Sequence, residues 1–310
     1  MIRPFRFGVQ ASSAPDRAAW IDLARRSEAN GYDVLTMPDH FTGQLAPMPA
    51  LMAAADATDR LRIGALVWDN DYKHPVVLAK ELATVDLLSE GRLEIGIGAG
   101  WMQSDYDASG IAYDSPKVRV DRFIEAIAVM KGAFAEGAYS FAGDHYTITG
   151  YDGRPKPVQR PWPPLLIGGG GKRVLSFAAR EADIIGINAT LTSGAIGADA
   201  ISTMTAEAVD AKVAIVREAA GARLDDIEMN IRTFMVNITD QRTDAMDKIA
   251  GAIGVEPSMI EASPFALVGS TQQLVEDLLA RRERWGFSYV IVGAEDIESF
   301  APVVAALSGT

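Results

Sequence analysis

Cysteine is absent from the 310 residues. That removes disulfides, thiolate metal sites and cysteine nucleophiles together. Histidine is almost as scarce. His40, His74 and His145 are the only three, and none has carboxylate neighbours in an HxH or HExxH spacing, so a zinc-type donor set is lacking. Ser104 and Ser270 have no nucleophile-elbow context, which leaves an acyl-enzyme route without support. Positive charge is short as well. A net charge of −12 argues against general binding to nucleic acid or to an anionic membrane. No uninterrupted apolar run is long enough to span a bilayer, and the opening residues through Arg3-Pro4-Phe5-Arg6-Phe7 hold no apolar signal region. The expectation is a soluble, cytoplasmic protein whose partner is a small molecule.

Apolar residues are plentiful at 48%, enough for a large core. The chain alternates strand-like and helix-like stretches from end to end. Strands are expected at 5–10, 32–37, 61–67, 93–97, 165–167, 183–187, 228–238 and 288–292. Helical spacing lies between them: Trp20, Leu23, Ala24 and Ser27 after Ser13-Ala14-Pro15-Asp16, with Asp16 in the first turn, and Leu78, Leu82 and Val85 after Pro75. Further helices are expected at about 117–135, 172–180, 203–220, 240–253, 271–285 and 295–307, with residues 255–264 as a short insertion. Residues 103–116 read as a loop, residues 188–202 as a mobile loop, and residues 137–164 as a lid or inserted hairpin. Eight strands with intervening helices argue an α/β fold of the (β/α)8 TIM-barrel type with insertions, as one domain over 1–310.

In such a barrel the chemistry sits at the C-terminal ends of the strands. This rule selects Asp39 and His40 after strand two, 67–71 after strand three, 98–101 after strand four, 168–172 after strand five and Asn188 after strand six. Each has a plainer reading. Pro38-Asp39-His40 can be a capped turn. Gly98-Ala99-Gly100 can be a tight bend of a buried strand, or a platform where a flat ligand meets backbone. Gly168, Gly169, Gly170 and Gly171 can be a hinge, but between a strand and a helix they also form an anion cradle, with Lys172 adding charge. Asp69 and Asp71 share one loop, and side chains two apart need not converge, so paired-acid glycoside hydrolysis has little behind it. A site poor in acids and bases but rich in glycine and aromatics suits a bound redox cofactor.

The segments RIGA (62–65), HPVVLAK (74–80), LLSEGRL (87–93) and GIGAGW (96–101) resemble the luciferase-like monooxygenase superfamily. So do FRFGVQ at the start, TMPDHF after strand two, PPLLIGGGGKR at the middle and LVGSTQQLVEDLLARRERWGFSYVIV near the end. Their order is similar to the branch of probable coenzyme F420-dependent oxidoreductases. The resemblance implies a barrel that binds F420 or, alternatively, flavin mononucleotide (FMN), and commonly a homodimer. It implies Asp39 and His40 beside the ring, with His40 as proton donor or substrate-positioning group. Leu66-Val67 takes the place of a non-proline cis peptide against the ring's back face. Asn70 would reach ring or ribityl oxygens. Gly98, Ala99 and Gly100 would let the cofactor lie close to strand four, next to Trp101, and Gly169, Gly170 and Gly171 would hold its phosphate. Where the sugar-phosphate dehydrogenase branch has a glutamate acid, this chain has Trp101, so the resemblance argues against glucose-6-phosphate oxidation. Lys172, Arg173, Lys73 and Arg119 are the candidate cations for an anionic tail.

Overall fold

The computed structural model describes residues 3–191, 193–195 and 197–310. Eight strands close a parallel barrel: β1 (Arg6–Gln10), β2 (Val34–Met37), β3 (Arg62–Ala65), β4 (Leu93–Gly98), β5 (Leu165–Gly169), β6 (Ile184–Ile187), β7 (Glu228–Arg232) and β8 (Phe287–Gly293). Each pairs with its sequence neighbours, and β8 pairs with β1, so the ring has no free edge. Strands covered on both faces carry near-continuous apolar runs, as in the fully buried Ile184–Ile187 and Phe287–Gly293. All eight expected strands are present.

The helices show where local reading succeeds. α1 (Arg17–Ala29) buries Trp20, Ile21, Ala24 and Ser27. Asp16 is its N-cap rather than a first-turn residue: its carboxylate accepts from the Ala19 N–H at 2.8 Å, because an extended residue just outside the helix can reach back to an orphan donor. α2 (Pro47–Asp56) is unexpected from the sequence. Its buried face is Ala50, Leu51, Ala54 and Ala55, and Pro47 opens it where a missing N–H costs nothing. α3 (Pro75–Leu88) buries Leu78, Leu82 and Val85 as expected. α4 (Gln103–Ser109) replaces part of the expected loop at 103–116, closing on Gly110 in the left-handed region. α5 (Pro116–Phe134) follows, capped by Ser115.

Residues 137–164 contain the hairpin, with Tyr139–Ala142 antiparallel to Thr147–Tyr151. The exit of this excursion is tied down by the buried Asp86 carboxylate, which accepts from Val158 N, Gln159 N and Gln159 Nε2 at 2.7–3.0 Å. α6 (Lys172–Glu181), α7 (Ala198–Ser202) and α8 (Ala206–Ala220) come next. The expected strand 228–238 is two strands. β7 ends at Arg232, and Met235–Ile238 pairs instead with Ala266–Gly269, outside the barrel. Alternation is a local property and does not say which sheet a strand joins. Between those outer strands lie α9 (Arg242–Ile253) and α10 (Pro257–Ala262), the latter within the expected insertion. α11 (Thr271–Trp285) starts on a capping box of Ser270 and Gln273, and α12 (Ile297–Leu307) ends the fold.

The N-terminal end of the barrel is plugged by charge. Arg6 of β1 donates to Glu94 of β4 at 2.5 Å and to Glu228 of β7 at 2.6 Å. Arg62 of β3 donates to Glu94 at 2.8 Å, and the Arg6 guanidinium lies 3.8 Å from the Tyr289 ring centroid. Burial alone would raise the Glu94 carboxyl, but Arg6 and Arg62 override it and hold it below the usual range.

Candidate cofactor cavity

At the opposite, C-terminal end of the strands a cavity of about 510 Å3 opens. The loop after β2 brings Asp39 and His40 to its wall. The turn after β3 brings Leu66, Val67, Trp68 and Asp69, and the end of β4 brings Gly98, Ala99, Gly100 and Trp101. The β5 turn adds Gly168 to Gly171, with Lys172 and Arg173 from α6. Thus the expected site residues converge on one cavity, apart from Asn70, Asp71 and the candidate cation Lys73. Asn70 is 1% exposed in the helical turn Asn70–Tyr72 behind Asp69, and its side chain does not line the cavity.

The Leu66–Val67 peptide bond is cis. Val67 then packs over the glycines of β4 and β5. A Cβ on Gly98 would stand 2.9 Å from Val67 Cγ2, and one on Gly168 would stand 3.3 Å from Val67 Cγ1. Gly100 has φ +76°, and a Cβ there would run into the Tyr106 hydroxyl and stand 2.8 Å from both Asp69 oxygens. These glycines therefore make room for the protein's own side chains. The bend and the platform are one arrangement, since the same residues border the cavity.

The buried polar groups behind the wall form a connected set. His40 Nδ1 lies 2.6 Å from Asp105 Oδ2. Asp105, fully buried at the start of α4, also accepts from the Tyr72 hydroxyl at 3.1 Å. With Nδ1–H donating to this carboxylate, Nε2 is the imidazole nitrogen left for chemistry. Trp101 stands edge-on to His40 with ring centroids 5.7 Å apart. Contrary to expectation, Asp69 and Asp71 do converge: the Tyr106 hydroxyl lies 3.1 Å from oxygens of both. Arg122 neutralises Asp71 through Nε and Nη2 at 2.8 and 2.9 Å. Asp69 has no cation paired to it among the described residues, and burial pushes its carboxyl up to about 7. Burial also raises Asp39, whose carboxylate accepts from the Asp69 N–H at 3.3 Å.

The other side of the cavity is basic. α6 has no side-chain cap, and its first internal bond is Leu175 N–H to Gly171 C=O at 3.0 Å. The N–H groups of Lys172, Arg173 and Val174 thus have no partner among the described residues and can serve an anion. A Cβ on Gly171 would meet no heavy atom within 4 Å, whereas one on Gly170 would meet the Asn188 carbonyl oxygen at 2.6 Å. Gly171 faces open space and Gly170 faces backbone. Lys117, Arg119, Lys172 and Arg173 line this side, with Lys117 and Arg173 sharing one carboxylate, Asp121. Lys73 does not; it pairs with Glu81 at 2.5 Å. The β6 loop closes the rim. Lys212, buried with no acid paired to it among the described residues and lowered to about 8 by burial, donates to the carbonyls of Asn188 and Thr203, both at 2.7 Å. The expected mobile loop is therefore tied at both ends; its Thr192 and Ile196 lie outside the described residues.

Two residues of the site escape a reading of the sequence, Asp105 and Arg232. Asp105 lies in a polar stretch that reads as loop, past the 98–101 segment that the strand-end rule selects. Arg232 reads as a mid-strand residue, because the strand-like pattern continues past the point where β7 ends.

This fold and cavity match a known family. The family model for luciferase-like monooxygenases covers residues 1–289, and the chain belongs to that family. Its relatives include an FMNH2-dependent dimethylsulfone monooxygenase of Pseudomonas putida, 26% identical over 240 residues, with 74% of this chain and 62% of that protein covered. Another is an F420-dependent glucose-6-phosphate dehydrogenase of Amycolatopsis mediterranei, 31% identical over 174 residues, with 53% of this chain and 51% of that protein covered. The matched segments thus span 62% and 51% of those proteins' lengths. Among solved structures, the coenzyme F420-dependent tetrahydromethanopterin reductase of Methanopyrus kandleri superposes with a TM-score of 0.79 at 20% identity, covering 98% of this chain and 100% of that one. At that identity the likeness concerns the fold.

Proposed function

We propose that this protein is a coenzyme F420-dependent oxidoreductase that moves a hydride between the reduced deazaflavin and a small organic molecule. One observation carries the choice of cofactor: in a chain of net charge −12, four cations gather on the cradle side of the cavity with one carboxylate, Asp121, shared by Lys117 and Arg173, so a net positive charge remains there. F420 has a phosphodiester and a glutamate tail, and so needs more positive charge along its exit than FMN does. The uncapped start of α6 with Gly171 open beside it fits the phosphate. Bound there, the reduced deazaflavin supplies the hydride.

The chain's own residues supply the rest. Gly98 to Trp101 and the Leu66–Val67 bulge form the wall on which a flat ring can rest. His40, its Nδ1–H held by Asp105, presents Nε2 to the substrate: the neutral imidazole accepts a hydrogen bond there and positions the substrate, and the imidazolium, its charge balanced by Asp105, donates the Nε2 proton as general acid. Trp68 and Trp101 keep water away from the reacting face.

A second reading, an FMN-dependent monooxygenase, is favoured by the dimethylsulfone monooxygenase, whose match covers more of this chain than the dehydrogenase's. The two readings part on titration of the apo protein with each cofactor, followed by tryptophan fluorescence. F420 binding without oxygen consumption on turnover supports the proposal. Tight FMN binding with none for F420 overturns it.

A further inference from the structure

Arg232 ends β7 and lines the cavity, two strands round the barrel from the β5 cradle. Arg119, on the cradle side, donates to the Asp114 carbonyl and lies over the Tyr113 ring, with Nε unpaired among the described residues. Three other enclosed guanidinium groups are spoken for. Arg6 and Arg122 face carboxylates, and Arg281 is held by the carbonyls of Ser263, Pro264 and Ala266. Arg232 has no carboxylate within 4.0 Å among the described residues. Its Nε donates to Gln10 Oε1 at 2.8 Å, and Nη1 donates to the Thr233 carbonyl. Nη2 makes no hydrogen bond to any described residue. Gln10 is itself fixed, donating from Nε2 to the Leu66 carbonyl at 3.1 Å. The guanidinium plane is therefore set by β1 and by the bulge after β3, and Nη2 is left without a partner among the described residues on a side chain that lines the cavity.

The electrostatics agree with that geometry. Burial lowers Arg232, and Glu295 and Asp296 act on it only from a distance in the opposite direction. The remaining neighbour is Phe234, with the guanidinium carbon 5.3 Å from its ring centroid. A desolvated cation without a contacting anion is costly to hold. A forked donor of this kind matches a planar oxyanion.

We infer that Arg232, oriented by Gln10, is the anchor for a carboxylate or enolate oxygen of the substrate, so that the substrates of this cavity are organic anions. The inference deepens the proposed function and rests on its reading of this cavity as the reaction site. Cofactor phosphate belongs to the cradle, and Arg232 serves the ligand at the far side.

The test uses benzoate and its neutral isostere benzamide as probes. Their affinities for the full chain are measured by calorimetry, with and without saturating F420 or FMN. Benzoate should bind at least about tenfold more tightly than benzamide, the scale of one charge-assisted bond. Arg232→Gln should abolish the preference, Gln10→Leu should reduce it by a smaller factor, and Lys172→Ala should leave it unchanged. Should Arg232→Gln fail to fold, Arg232→Lys carries the test, since it keeps the charge but not the fork. A preference reduced several-fold in that variant supports the assignment, and an unreduced one overturns it. Equal binding of the two probes, or a preference that survives Arg232→Gln, overturns it. So does a preference lost in Lys172→Ala, which would place the anion in the cradle. So does loss of cofactor affinity alone in Arg232→Gln, which would give the fork to a ring oxygen of the cofactor. Because apo protein is one arm, absence of F420 binding counts against the proposed function and leaves the reading of Arg232 measurable.

Discussion

Gly171→Val separates a cradle from a hinge. At this position φ is −88° and a new Cβ would meet no heavy atom within 4 Å, so the fold has room for the side chain. The folding penalty is that of a poorer N-cap, about 1 kcal/mol. A chain of this length has an unfolding entropy of about 0.65 kcal/mol/K, at about 2.1 cal/mol/K per residue, so Tm should fall by only about 1.5 °C. Binding should respond far more. A phosphate at the start of α6 would take the N–H groups of Lys172, Arg173 and Val174, and each bond to a charged acceptor is worth about 1.5–3 kcal/mol. Displacing the phosphate from one of them should weaken cofactor binding about 10- to 150-fold. Fluorescence titration of the apo protein reads this through Trp68 and Trp101, both on the cavity wall. Unchanged affinity would refute the cradle. Gly170→Val is the contrasting variant: its Cβ meets the Asn188–Ala189 backbone, so it should lower Tm along with affinity.

Three further outcomes are expected. Glu94→Gln leaves Arg6 and Arg62 short of a buried partner and should cost about 3–5 kcal/mol, about 5–8 °C in Tm by the same entropy. Because the folded-state carboxyl of Glu94 lies below its ordinary value, its contribution is present above about pH 4.3 and is lost as pH falls through the folded value. Acid titration of Tm should show that loss in the wild type and not in the variant. Asp69 has the opposite sign. With its carboxyl raised to about 7, the folded state keeps a proton that the unfolded chain releases near pH 4, so stability falls between about pH 4 and 7. Asp69→Asn should remove that slope in chemical denaturation, and an unaltered slope would assign it to another group. His40→Ala should cut turnover about 100-fold or more while leaving the cofactor Kd within about twofold, measured with reduced F420 and whichever enone, nitroaromatic or imine is accepted. Normal turnover would return His40 to a structural role.

Much of this molecule can be read from its residues because barrel strands are local signals. Ile184-Ile185-Gly186-Ile187 needs no partner to look like a buried strand, and the strand-end rule then gathers Asp39, Gly98 and Gly171 without coordinates. What escapes is decided at longer range. α2 has no expected counterpart, because its alanine face is defined only by what it packs against. Asp105 gains meaning from His40, which is 65 residues earlier, and no spacing rule joins them. Arg232 and Gln10 sit on neighbouring sides of β8 in the ring, a relation created only when the barrel closes. Asn70 errs in the other direction: one residue further along a helical turn, it faces inward.

The charged plug at the N-terminal end has a consequence for the cavity above it. Arg6 and Arg62 are balanced by Glu94 and Glu228, two positive groups against two negative, held by short contacts. A compact quadrupole of this kind has a field that decays within a few ångströms, so the barrel's base is an electrical insulator. The potential felt by a ligand is written chiefly by the rim: cations by α6, the Asp69 carboxyl after β3, one oriented guanidinium on β7. Substitutions at the rim can then retune which charge the cavity welcomes while the foundation that keeps the ring closed stays the same.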